Sequence, residues 1–76
     1  MKLYKVNQFD NKHHSAIRSF ICVALNEEEA SQIDPRYDKY QWAHSEKNVV
    51  SSFIGRTTLY KRGQIIMRSF NDEIIV

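Results

Sequence analysis

One segment of this chain is punctuated at both ends, and it constrains what the rest can fold into. Asn26-Glu27-Glu28-Glu29 offers an N-cap side chain, a Glu at the third helical position, and acids in a first turn where the helix dipole favours negative charge. Pro35 disfavours helical geometry at Asp34, so a helix that starts at Asn26 ends by about that point. Ala30 and Ile33 supply its buried stripe.

The runs around this short helix read as strands. Lys2 to Phe9 mixes β-branched, aromatic and long polar residues, with Tyr4 and Val6 on one face and Leu3 and Phe9 on the other. Arg18 to Leu25 is apolar enough for a strand covered on both faces, and the polar stretch Asp10 to Ser15 makes the two an antiparallel pair with a long hairpin loop. Cys22, inside that apolar run, reads as a small core hydrophobe, and a lone buried thiol fits a reducing compartment. Val49 to Ile54 and Gln64 to Phe70 read as two further strands, joined by a segment in which Lys61-Arg62-Gly63 looks like the turn. The first of these could run on through Thr57 to Tyr60, with Gly55 marking a bulge or a close approach of another backbone. The tail ending Ile74-Ile75-Val76 reads as an added edge strand or a contact with another subunit. The order is β-β-α-β-β: a small α+β fold in one domain, residues 1–76, with one short helix on one face of a mostly antiparallel four-stranded sheet.

Composition narrows the class further. A 42% hydrophobic share with 12% aromatic residues is too rich for disorder, and the scattered charges exclude a membrane span or signal peptide. Area scaling for 76 residues leaves about 120 kcal/mol of apolar burial against about 115 kcal/mol of ordering cost. A single domain this close to balance, with one helix on one sheet face, is expected to self-associate.

Met1-Lys2-Leu3-Tyr4, the run Ser19 to Ala24 leading into Asn26 to Ala30, and Ile33-Asp34-Pro35 resemble a recurring layout of short uncharacterised phage and prophage proteins. Trp42 in the middle loop, Ser52-Phe53-Ile54-Gly55, and Gly63 to Asn71 continue it, so the resemblance covers most of the chain. Its motifs are landmarks of a fold and carry no chemistry. Asp72 and the apolar tail depart from the small residue that often follows Asn71 in such proteins. The resemblance implies a viral genomic context, hence the cytoplasm of a host cell, where small phage proteins are frequently counter-defence factors.

The residues offer little catalytic chemistry. His14-Ser15 and His44-Ser45 lack an orienting acid, and His13, His14 and His44 have no metal-ligand spacing. Two glycines make no phosphate-cradling loop, so neither an enzyme, a metal nor a cofactor is expected. From Asp34 to Asn48 no period holds, and a connection of that length in so small a domain is usually there to bind something. Arg36, Tyr40, Trp42 and His44 in this loop, with Arg56, Lys61, Arg62 and Arg68 downstream, form an aromatic and basic set. Bases stack on Tyr or Trp while Arg forks meet phosphate. The same residues also have plain structural uses: Trp anchors a loop to a core, and Lys61-Arg62 suits any solvated turn. Arg56 and Arg68 stand out because each sits amid apolar strand residues.

Three functions follow as expectations. The first is a self-associating phage protein that sequesters an anionic small ligand such as an immune signalling nucleotide. The second is an inhibitor that docks a sheet edge or the aromatic loop onto a host defence or replication protein. The third, a nucleic-acid-binding accessory protein, sits poorly with a net charge of only +2, which argues against a duplex partner.

Overall fold

The structure, a computed structural model, describes residues 1–8, 17–36, 42 and 49–70. Its elements are β1 (Lys2–Gln8), β2 (Ile17–Ala24), α1 (Glu27–Gln32), β3 (Val49–Arg56) and β4 (Ile65–Phe70). The strands form one sheet in the order β3-β1-β2-β4, and each neighbouring pair is antiparallel. With α1 packed on it, this is the small α+β fold that the sequence pattern predicts. No described helix is long and apolar enough to cross a membrane.

The β1–β2 register sets which side chains make the core. Tyr4 lies opposite Cys22 and Val6 opposite Phe20, so all four project to the same side. They are buried there with Ala24, Ala30 of the helix, Trp42 and Val49. Ile17 joins them although alternation from Phe20 would send it to the opposite side. The register against β4 shifts between Ile17 and Ser19, and that irregularity returns Ile17 to the core. Burial, and secondarily the charge of Glu29, pushes the Cys22 thiol up to about 11, as befits a core residue.

Helix α1 is capped as its sequence predicts. Asn26 Oδ1 accepts from the Glu29 backbone N–H at 2.8 Å, and Glu29 Oε1 accepts from the Leu25 N–H at 3.3 Å. The helix closes after Gln32, where Ile33 turns extended ahead of Pro35. Ser31 Oγ donates to Glu27 O at 3.0 Å, which commits its one proton, so Ser51 Oγ of β3 donates to Ser31 Oγ at 2.6 Å. This bond ties the helix to an edge strand.

Two strand expectations are corrected. Lys61-Arg62-Gly63 does not close a β3–β4 hairpin, because β3 pairs with β1 and β4 with β2, leaving them on opposite edges. Residues 57–64 instead cross the end of the sheet, a span of roughly 14 Å at the usual strand spacing. The Thr57 N–H donates to Met1 O at 2.9 Å, the Gly63 N–H to Val23 O at 2.8 Å, and the Val23 N–H to Gln64 O at 3.0 Å. The third strand also stops at Arg56, short of Tyr60, once its last partner Lys2 is used. The expected irregularity at Gly55 is present: Tyr4 faces Phe53 and Leu3 faces Gly55, leaving Ile54 as an extra residue. Phe9, the Asp10–Ser15 turn and the tail after Phe70 lie outside the described residues.

Gly63 has φ +84°, which the crossover requires as it turns onto β2. Gly63→Ala is expected to lower stability in urea denaturation by ~1–2 kcal/mol through backbone strain alone, since no atom crowds the added methyl. Gly55→Ala, also uncrowded, is expected to change it by less than ~0.5 kcal/mol.

Candidate interaction surface

The fold separates the residues that the sequence grouped. Tyr40 and His44 lie outside the described residues. Trp42 is only 6% exposed, and its ring meets Phe20 edge-on with centroids 5.0 Å apart, so it anchors the middle segment to the core. Arg36 is held by its neighbour: its Nε donates to both oxygens of Asp34, at 3.0 and 2.8 Å, and its Nη2 lies 2.6 Å from Oδ2. Arg68, on the helix-bearing face beside Phe20, donates from Nε to Pro35 O at 2.9 Å, which closes the segment after the helix onto β4.

Arg62 grips the helix start. Its Nε and Nη2 both reach the Glu29 carboxylate, Nη2 at 2.6 Å from Oε2. The bidentate fork links the crossover to α1. It also brings the acidic helix start to the end of the sheet where the crossover runs, so the charges that are segregated in the sequence meet in space. Hydrogen bonds from Arg62 hold the Glu29 carboxyl below its ordinary value, helped by the Leu25 N–H and the nearby positive charge.

Arg56 and Lys61 are exposed, and neither has an ion-pair partner among the described residues. Arg56 stands directly across from Lys2, a like-charge pair at the end of β1 and β3. Arg56 and Arg68 do not converge: three strand spacings across and four residues along place their Cα atoms roughly 20 Å apart. Among the described residues, no three of His, Cys, Asp and Glu come together as metal ligands.

What does come together is apolar surface on an edge. On β3, Val50, Phe53 and Ile54 are 46%, 50% and 49% exposed. Phe53 touches Tyr4 with ring centroids 5.9 Å apart, but only by an edge-on contact that leaves its outer side bare. β3 runs eight residues with no Pro, no Lys and a single charge, Arg56, at its last position. Natural edge strands are usually blunted by such residues or kept short. Sequence reading missed this surface because it paired the third strand with the fourth, which would have covered one flank. Compared with family models, curated proteins and solved structures, the chain has no match.

The Glu29–Arg62 pair generates a prediction with a definite sign. A carboxyl whose folded pKa is depressed adds stability above its unfolded value of ~4.3, and that contribution is lost as pH falls through the folded value. Urea denaturation should therefore show Arg62→Gln less stable than the parent at pH 7, with the difference shrinking toward pH 3.

Proposed function

We propose that this chain is a non-enzymatic binding protein whose working surface is the outer edge of β3, which takes up an added antiparallel strand from a protein. The observation that carries the reading is the run of half-exposed Val50, Phe53 and Ile54 on a long edge strand with its only charge at the end. Strand addition gives affinity through main-chain hydrogen bonds and specificity through alternate side chains, and these residues lie on both sides of the pleat. The resemblance to small phage proteins supplies the setting: a counter-defence or regulatory factor in the host cytoplasm, acting on a host defence or replication protein.

A second reading keeps the anionic small ligand, such as a signalling nucleotide. Its support is the like-charge pair of Lys2 and Arg56, with Lys61 exposed on the crossover at the same end. An anion seated there would relieve the repulsion. The edge is preferred because Arg36, Arg62 and Arg68 have protein contacts and Trp42 is buried.

The test is quantitative capture from a bacterial extract by the wild type and by Val50→Lys/Ile54→Lys, whose two lysines blunt the edge. The expected result is one protein retained at 1:1 by the wild type and lost by the variant, with β3 amides protected from hydrogen exchange in the complex. Equal capture by both proteins would refute the edge. A nucleotide-sized adduct in native mass spectra, removed by Arg56→Ala, would move the function to the second reading.

A further inference from the structure

We infer that the strand taken up by β3 in the free protein is β3 of a second copy of this chain, giving a two-fold dimer with one continuous eight-stranded sheet. The inference rests on the reading of β3 as a docking edge and names the partner. It follows from symmetry, apolar matching and charge.

A strand can lie antiparallel to its own copy across a sheet edge only about a two-fold axis along the sheet normal. Such an axis keeps the same faces together, so both helices lie on one side and the helix-free faces join on the other. It also sets like-facing positions opposite each other along the regular part of the strand, Val49 to Phe53, with Ile54, the extra residue of the bulge, at the margin of that ladder. The axis that twice sets one exposed apolar residue against another passes through Ser52. Val50 then meets the partner's Ile54, and Ser51 meets the partner's Phe53. Two half-exposed apolar residues thus cover each other twice, once on each side of the axis.

Charge permits this pairing on β3 and opposes it on β4. Arg56, the one charge of β3, falls at opposite ends of the shared ladder, where the two copies are farthest apart. On β4, Arg68 lies near the middle of a six-residue strand. The comparable axes set it against its own copy or against Ile66, so that edge is protected by an inward-pointing charge. The ladder to β1 and the Ser31–Ser51 bond hold β3 from the inner side, so the edge presented to the second copy is fastened by the rest of the fold.

The experiment is sedimentation velocity over a concentration series for four proteins, each checked for folding by circular dichroism. The wild type should sediment as a dimer at high concentration. Val50→Lys should weaken association by about tenfold or more, because each added Lys faces an Ile. Val50→Lys/Ile54→Glu should restore it, since each Lys then faces the partner's Glu. Ser52→Cys should form an intermolecular disulfide on mild oxidation, because directly opposed residues sit roughly 4.5–5.5 Å apart at Cα, within disulfide reach. A monomeric wild type with no Ser52→Cys crosslink would overturn the second copy as partner. The edge reading would survive that result if Val50→Lys/Ile54→Lys still abolished capture of a foreign protein. A dimer indifferent to Val50→Lys, with no Ser52→Cys crosslink, would overturn the inference by placing the interface elsewhere, and unchanged capture by the double-lysine variant would overturn the edge reading as well.

Discussion

The antiparallel register of β1 and β2 is the constraint on which the rest depends. It places Tyr4 and Val6 on the same side as Cys22 and Phe20, and these four form the floor of the core. A slip of one residue would turn Tyr4 and Val6 outward and leave the helix nothing to cover. Given this register, Ala30 has a bed to pack on, Trp42 finds the Phe20 edge, and both outer flanks of the pair become templates for further strands. β3 and β4 each take one, which places them at opposite edges.

Much of this was legible in the chain because it is local. Asn26, Glu29 and Pro35 announce the helix by hydrogen bonding and backbone restriction within a few residues. The alternation of Tyr4 and Val6 and the apolar run around Cys22 announce the two central strands. Strand order was not legible, because it is decided by which flank each later strand fills, and two strands close in sequence look like a hairpin. The connection of eight residues between Arg56 and Ile65 is long enough to cross the sheet end but looks no different from a loose hairpin loop. The burial of Ile17 was equally hidden, since a bulge inverts the alternation that pattern reading relies on.

The candidate site was less legible for a related reason. Aromatic and basic residues close in sequence appear to belong together, yet an arginine's role depends on the carbonyls and carboxylates the fold brings to it. Arg62 meets Glu29 across 33 residues and Arg68 meets Pro35 O across the same separation, so both act as ties between distant segments. Only Arg56 and Lys61 of the basic set stay outward without such a tie among the described residues. The apolar edge went unnoticed because Val50, Phe53 and Ile54 look like ordinary strand residues, and what makes them unusual is the absence of a described neighbour on one flank.

The two edges of the sheet differ in charge: both carry exposed apolar residues, Ile66 and Met67 on β4 as well as Val50, Phe53 and Ile54 on β3, but only β4 has a charge near its middle, and that favours β3 as the proposed docking edge. β4 turns Arg68 inward and spends its guanidinium on the chain's own backbone, so an incoming strand would meet a charge already engaged. Among the described residues, β3 has only a bulge near its end as a guard, and its inner side is fastened twice, by the ladder to β1 and by the Ser31–Ser51 bond. An edge that is apolar but mobile would lose much of its docking free energy to the ordering of its own backbone. Here the ladder to β1 and the Ser31–Ser51 bond already hold that backbone from its inner side, so the cost of the proposed strand addition would fall chiefly on the ordering of the incoming strand. In the proposed dimer the incoming strand is a second β3 held by the same ladder and the same Ser31–Ser51 bond, which lowers that cost on both sides.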